Sequence, residues 1–163
     1  MRRLGVGRAV LYGTLAVGTL DILDAFIFFG LRSGARPERI LQSIAGGVLT
    51  RPVAIQGGWP AAALGLFLHY LIAFGIVTVY MLASRQVRPL ARRPLALGPL
   101  YGIAVYLVMN VVVVPLSRIG GSFTLVFTPV LVNGLLIHMF GVGLPSALAA
   151  AAAEEPGQGA GRG

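Results

Sequence analysis

Residues 60–83, PAAALGLFLHYLIAFGIVTVYMLA, decide the fold class of this chain. The stretch contains no Asp, Glu, Lys or Arg, and a helix of about 20 mostly apolar residues crosses the ~30 Å hydrocarbon core of a bilayer. Three further stretches are similarly long and apolar, at about 9–31, 96–116 and 129–149. The sequence therefore predicts an all-α, polytopic membrane protein with a bundle of four transmembrane helices.

The composition agrees with a membrane location. Hydrophobic residues make up 56% of the 163 residues, charged residues make up 11%, and the mean hydropathy is +0.85, values far from those of soluble domains. The four predicted helices occupy most of the chain, so we expect a single domain over residues 1–149. The Gly-rich, polar residues 150–163 are predicted to form a disordered tail.

The charged residues point to lipid as the partner. All thirteen basic residues are Arg, and the formal net charge is +8. These arginines lie between the apolar stretches, where they mark the membrane edges and meet anionic headgroups. The expected partner is therefore the lipid bilayer and not nucleic acid. The absence of Cys excludes disulfides and thiolate metal sites.

Two sequence patterns recur along the chain. With an offset of 69 residues, Pro60, Gly65, Leu66 and His69 recur as Pro129, Gly134, Leu135 and His138. With an offset of 89 residues, Leu11, Tyr12, Gly13 and Asp21 recur as Leu100, Tyr101, Gly102 and Asn110. The two offsets differ by 20 residues, roughly the extra length of the connection between the first two predicted helices. We therefore predict that the bundle is built from two repeated helix pairs.

That longer connection contains a short amphipathic segment. Pro37 opens it, and apolar residues then follow at helical spacing: Ile40, Leu41, Ile44, Ala45, Val48 and Leu49. A segment over about 37–49 is too short to span a bilayer. We predict an interfacial helix after the first span, and favour a surface helix that anchors the connection over a gate.

Polar residues inside the apolar stretches are the candidate site. Asp21 lies about 18 Å from the start of the first predicted helix, and His69 lies about 13 Å from the start of the second. Because the second helix starts at the opposite face of the membrane, the two depths nearly coincide. The repeat places Asn110 and His138 at matching positions. We predict an intramembrane polar cluster of these four residues. Secondary candidates are Asp24, Tyr80 and Asn133.

Several functions fit such a cluster. Its side chains can lock helices together in a structural or accessory membrane protein, which is our first interpretation. Alternatively, Asp21 and His69 exchange a proton in a transport or channel protein for protons or small solutes. A third option is haem b ligated by His69 and His138. No H-E-x-x-H, G-x-S-x-G or acidic metal cluster occurs, so we predict neither catalytic residues nor a metal site.

A few sequence features carry a resemblance to a known group of proteins. They are His69-Tyr70 followed by Tyr80, a Gly-rich third span that ends in Val114-Pro115-Leu116, and His138 in the last span. Over about residues 10–145 the chain resembles the small bacterial inner-membrane proteins of the YagU-like type and related families. The resemblance implies a four-helix protein of the bacterial inner membrane and supplies no chemistry.

The distribution of arginines predicts the orientation. With four spans both termini lie on one side, and the short-loop arginines favour the cytoplasm: Arg2, Arg3, Arg8, Arg85, Arg88, Arg92 and Arg93 against Arg118. The arginines of the first connection argue the other way: Arg32, Arg36, Arg39 and Arg51. Small residues at four-residue spacing allow close helix packing, which makes a homodimer an option.

Overall fold

The computed structural model describes residues 4–120 and 126–153, and this part of the chain is helical throughout with no strand. Its helices are α1 Val6–Ser33, α2 Pro37–Leu49, α3 Arg51–Gln56, α4 Gly58–Gln86, α5 Pro89–Arg92, α6 Pro94–Leu116 and α7 Pro129–Ala153. Four of them, α1, α4, α6 and α7, are long and apolar enough to cross a membrane. The predicted all-α architecture with four such helices is confirmed.

The end of α7 differs from the prediction. The helix continues to Ala153, whereas the sequence placed the start of a disordered tail at residue 150. The continuation has a packing reason, because Ala147 and Ala150 are buried in one cluster with Ala9 and Tyr80. The remaining residues of the predicted tail, 154–163, lie outside the described residues.

The four long helices meet in one buried cluster. It contains Val17 of α1, Ala73 and Val77 of α4, Val105 of α6 and Val142 of α7. Helix α7 packs against each of the other three. In its most apolar 18-residue stretch 39% of the residues are buried, compared with 22% in the corresponding stretch of each other helix. The bundle is therefore organised around α7.

Helices α1 and α7 run in opposite directions. Asn133, near the start of α7, contacts Asp24, near the end of α1, whereas Leu4, just before α1, donates a backbone hydrogen bond to Ala152, near the end of α7. Ser33 and Pro129 therefore lie at one end of the bundle, which we call the Ser33 end. The opposite end, which holds Ala153, is the Ala153 end.

Glycines set the closest approach between helices. A Cβ atom on Gly102 would overlap the backbone of His138, and one on Gly143 would overlap the backbone of Gly98 and Gly102. The backbones of α6 and α7 are thus in direct contact. Small residues permit this kind of packing in membranes, where dispersion contacts between helices replace the hydrophobic effect as the main attraction.

Helix α2 packs on α4 near the Ser33 end. Gly65 lies against the carbonyl of Leu41, where no side chain would fit. At the other end of α2, the carbonyl of Gly47 accepts a 2.9 Å hydrogen bond from the backbone of Arg118, just beyond α6. The bounds of α2 match the predicted segment 37–49. Its contacts connect α4 to the end of α6, while its location at the lipid interface stays a prediction.

The side chain of Gln42 anchors α2. This residue is 1% exposed, and its amide nitrogen donates 3.0 Å hydrogen bonds to Glu38 and to the carbonyl of Gly58. Its amide oxygen accepts a hydrogen bond from Arg39. A buried amide costs little when its hydrogen-bonding groups are satisfied, so Gln42 fixes α2 to the start of α4.

Helices α6 and α7 each contain a widened, π-helical turn. The turns are Met109–Val113 and His138–Gly143, and each ends two residues before a proline, Pro115 or Pro145. Proline lacks an N–H donor, and its ring clashes with the carbonyl four residues earlier. A wider turn accommodates that defect. Because α1 and α4 are regular helices, the two halves differ locally, and the repeated pairs stay a prediction.

The outside of the bundle is apolar. Large side chains on several faces of the long helices are exposed: Leu20, Leu23, Ile27, Phe67, Leu71, Phe74, Leu100 and Leu136. Water does not stabilise such a surface, whereas lipid tails do. The four apolar helices thus indicate an integral membrane protein in contact with the bilayer.

Candidate functional site

Asp21 and His69 come together between α1 and α4. The Nδ1 atom of His69 lies 3.9 Å from Oδ2 of Asp21, and the Nε2 atom lies 2.8 Å from the carbonyl oxygen of Gly18. A carbonyl only accepts hydrogen bonds, so Nε2 carries a proton and donates it to Gly18. The nitrogen that faces Asp21 is therefore the one whose protonation is free to change.

Local packing holds His69 in this orientation. Gly18 has no side chain, and a Cβ atom there would lie 2.5 Å from the Tyr70 ring. The Tyr70 ring therefore rests on α1, where its hydroxyl lies 2.9 Å from Thr19 Oγ1. The same ring meets the imidazole of His69 edge to face, at a centroid distance of 5.6 Å.

His138 occupies a similar environment on α7. Its Nδ1 atom lies 2.8 Å from the carbonyl of Gly134, one turn earlier, and its ring meets Tyr106 edge to face at 5.3 Å. The Tyr106 ring covers Gly134, where a Cβ atom would collide with it. His138 is close enough to Asp21 to interact with it electrostatically.

Asp24 and Asn133 form a second polar contact, between α1 and α7. The side-chain nitrogen of Asn133 donates a 2.7 Å hydrogen bond to Oδ2 of Asp24. Asn133 lies five residues before His138, about 140° around the helix, so the two side chains do not share a face. Asn133 instead bonds to a neighbouring helix. The identity of the partner did not follow from the sequence. Asp24 also lies within electrostatic range of Asp21.

Two predicted members form hydrogen bonds elsewhere. The amide of Asn110 donates a 2.8 Å hydrogen bond to the carbonyl of Tyr106 on its own helix. Tyr80 donates a 2.9 Å hydrogen bond to the carbonyl of Leu90 and packs near the Ala153 end. Eleven residues of helix separate Tyr80 from His69, about 16 Å. Tyr80 therefore does not belong to the polar group, although it shares a helical face with His69.

The structure adds two polar side chains that were not among the predicted site residues. Tyr101 on α6 donates a 2.8 Å hydrogen bond to the carbonyl of Ile76 on α4. Thr14, 8% exposed, has a buried hydroxyl oxygen without a hydrogen-bond partner among the described residues. Its position seven residues before Asp21, on the same face of α1, is the sequence signal that points to it.

The geometry also bears on ligands. Within residues 4–120 and 126–153, no three or more His, Asp or Glu side chains are grouped so that they could hold a metal ion. For His69 to ligate haem iron through Nε2, the 2.8 Å contact with Gly18 would have to break. What the arrangement offers directly is a carboxyl group that faces one imidazole nitrogen, a pair that can hold a proton.

Comparison with known proteins leaves the geometry as the basis for assigning a role. The chain matches no protein-family model, no curated protein and no solved structure.

Proposed function

We propose that this membrane protein binds and releases a proton at Asp21, and thereby moves protons or a proton-coupled small solute across the bilayer. The observation that carries the proposal is the 3.9 Å approach of Asp21 to Nδ1 of His69. The other nitrogen of that histidine is held by the carbonyl of Gly18. One side of the imidazole is thus anchored and the other side faces the carboxyl group.

The two carboxyl groups of α1 differ in how they are satisfied. Asp24 accepts a hydrogen bond from Asn133, whereas no hydrogen bond to Asp21 is formed within the described residues. An ionised carboxylate in the membrane interior costs at least about 2.5 kcal/mol. Protonation of Asp21, or a shared proton with His69, removes much of that cost. Asp21 is therefore the carboxyl group suited to exchange a proton.

The histidine on α4 supports proton exchange with Asp21, and the histidine on α7 adds to the electrostatic field at that carboxyl group. His69 lies on α4 and His138 on α7, and both interact electrostatically with Asp21. A distance of 3.9 Å is closed by a small side-chain movement or bridged by one water molecule. Asp21 can then exchange a proton with His69 on α4.

A structural or accessory role is the second candidate function. The 2.7 Å bond between Asp24 and Asn133 favours it, because a polar contact between two helices is a common way to hold a membrane bundle together. In this case the pair of Asp21 and His69 contributes only to packing. Haem b binding by His69 and His138 ranks below both, since the anchored Nε2 of His69 is not available as a ligand.

The proposed location completes the assignment. We place the protein in a bacterial inner membrane with both termini in the cytoplasm. Support comes from the arginines near the Ala153 end, among them Arg85, Arg88 and Arg93, since cytoplasmic loops are enriched in basic residues. The resemblance to small four-helix bacterial membrane proteins supports the same location.

Proton flux into proteoliposomes tests the proposed function. Purified protein is reconstituted with a pH-sensitive dye inside the vesicles, and a potassium diffusion potential drives proton entry. We expect dye acidification with the wild type and a loss of at least about tenfold with Asp21→Asn, the size of loss expected when the proton-binding group is removed. His69→Ala should lower the flux in the same direction.

Asp24→Asn is the matched control. It makes the same chemical change one turn away on α1, and the new amide oxygen still accepts the hydrogen bond from Asn133. We expect this variant to retain most of the flux. Gel filtration of each variant reports folding. Folded wild-type protein that conducts no protons, or equal flux in the wild type and Asp21→Asn, would overturn the proposal and favour the structural role.

A further inference from the structure

An apolar groove opens on the surface between α1 and the start of α7, at the Ser33 end of the bundle. Its volume is about 370 Å³, within the usual range for sites that bind small molecules. Its lining includes Phe28 of α1 and, before and within α7, Phe127, Thr128, Val132, Asn133 and Leu136. The groove is separate from the pair formed by Asp21 and His69, which lies deeper along α1.

The shape and lining of the groove suit a hydrocarbon chain. The lining is mostly apolar, and the groove follows α7 from Pro129 to Leu136, about 10 Å along the helix axis. Leu136 is exposed on the outside of the bundle, so the groove is continuous with the surface that faces lipid tails. A bilayer lipid therefore reaches it without leaving the membrane.

A basic residue follows the groove wall on α1, toward the Ser33 end. Arg32 is one helical turn beyond Phe28 on α1, so both residues share a face of the helix. Its side chain is exposed, and it has no hydrogen bond or ion pair with the described residues. A guanidinium group binds phosphate through paired N–H donors. Arg32 therefore complements the anionic headgroup of a lipid whose acyl chain lies in the groove.

Two polar groups line the groove below Arg32. The Oγ1 atom of Thr128 accepts a 3.2 Å hydrogen bond from the backbone of Leu131, which leaves the hydroxyl hydrogen to donate to a ligand. Asn133 uses its amide nitrogen for Asp24 and keeps its oxygen as an acceptor. The ester region of a phospholipid presents acceptor oxygens, so the Thr128 hydroxyl is the group suited to donate to it.

We propose that this groove binds one anionic phospholipid, with an acyl chain along Val132 and Leu136 and its phosphate at Arg32. A zwitterionic lipid would fill the apolar groove equally well, but its added positive charge would weaken the attraction to Arg32. Free phosphate would meet Arg32 and leave the apolar groove empty. The combination of groove and charge thus selects an anionic lipid.

Tryptophan quenching by brominated lipids tests the site. The chain contains one tryptophan, Trp59, which is replaced by Phe. A reporter is then introduced as Phe127→Trp, at an exposed position of the groove wall. The protein is reconstituted in phosphatidylcholine vesicles containing increasing fractions of brominated phosphatidylglycerol or brominated phosphatidylcholine. We expect the fluorescence to report about fivefold tighter binding of the anionic lipid, from one arginine near the surface.

Matched variants separate the two parts of the site. Arg32→Gln should abolish the preference, Arg32→Lys should keep most of it, and Val132→Phe should weaken binding of both lipids by filling the groove. A second reporter, Phe67→Trp, lies on an exposed face of α4 and should show no preference. Arg36→Gln, in the connection after α1, serves as the charge control and should leave the preference unchanged.

The outcomes are decisive in both directions. The proposal is overturned by equal quenching of the Phe127→Trp reporter by both lipids, by a preference that survives Arg32→Gln, or by an equal preference at the α4 reporter. Unchanged lipid binding in Val132→Phe would show that the acyl chain does not lie in the groove, and would overturn that part of the proposal. Because Arg32→Lys retains the charge, loss of the preference through misfolding is distinguished from loss of the phosphate contact.

Discussion

The side-chain nitrogen of Asn133 lies 2.7 Å from Oδ2 of Asp24, a contact that joins α7 to α1 across 109 positions of the sequence. About one turn earlier on α1, Asp21 approaches His69 at 3.9 Å. The first carboxyl group is held by a hydrogen bond between helices, and the second faces an ionisable side chain. Two carboxyl groups of the same helix thus have different surroundings, and our proposal assigns proton exchange to the second.

Asn133→Leu should lower the free energy of unfolding by about 1–3 kcal/mol, because it leaves the carboxyl group of Asp24 without its donor. The free energy is measured by titrating the micellar protein with a denaturing detergent. Asn110→Leu is the matched control: that amide donates within its own helix, so its loss should cost less. Equal losses in the two variants would show that the bond between α1 and α7 does not stabilise the bundle.

Gly102→Ala should destabilise the bundle by about 1–3 kcal/mol, a typical cost of overpacking a tight core. The added methyl group would overlap the backbone of His138 and push α6 away from α7. Gly75→Ala is the control, because a Cβ atom there meets nothing within 4 Å, and its effect should stay within about 0.5 kcal/mol. Thermal unfolding in detergent compares the two. Similar melting temperatures would contradict the direct contact of α6 with α7.

Tyr80→Phe should leave proton flux unchanged while lowering stability by about 1 kcal/mol. The substitution removes the 2.9 Å hydrogen bond to the carbonyl of Leu90 and keeps the ring in its contact with Tyr101. Since Tyr80 lies about 16 Å along α4 from His69, the proton site should not sense the change. The liposome flux assay and thermal unfolding measure the two effects. A large loss of proton flux would instead indicate that Tyr80 takes part in the proton site.

Cysteine labelling should report opposite accessibility at the two ends of the bundle. The chain has no Cys, so Ser33→Cys and Gln86→Cys each create a single thiol at an exposed position. In intact bacterial cells a membrane-impermeant maleimide should label the thiol at position 33. The thiol at position 86 should react only after permeabilisation, because the basic connection after α4 is expected in the cytoplasm. The reverse pattern would invert the proposed orientation.

Helix bounds were the feature that the sequence predicted best. The predicted spans 60–83 and 96–116 lie within α4, Gly58–Gln86, and α6, Pro94–Leu116, and α2 begins and ends where its apolar pattern does. These features are local: the length of an apolar run is set by bilayer thickness, and proline marks where a helix starts. The similar depth of Asp21 and His69 also followed, because it needs only the rise per residue.

The partners of the polar side chains depended on the rotation and approach of each helix. Asn133 contacts Asp24, and Asn110 keeps its amide on its own helix, although the repeat treats Asn110 and Asp21 as equivalent. The widened turn of α6, Met109–Val113, contains Asn110, and an inserted residue turns the side chains after it by about 100°. Spacing in the sequence does not report such a shift.

By itself, the sequence determined that the chain forms four apolar helices with a short amphipathic helix after the first, and the depth at which Asp21 and His69 lie. The tertiary structure decided which faces meet. Contacts without side chains, at Gly65, Gly102 and Gly143, set how closely the helices approach. The physical reason is that apolarity and helical rise act within one segment, whereas a side-chain contact depends on the rotation of two segments at once.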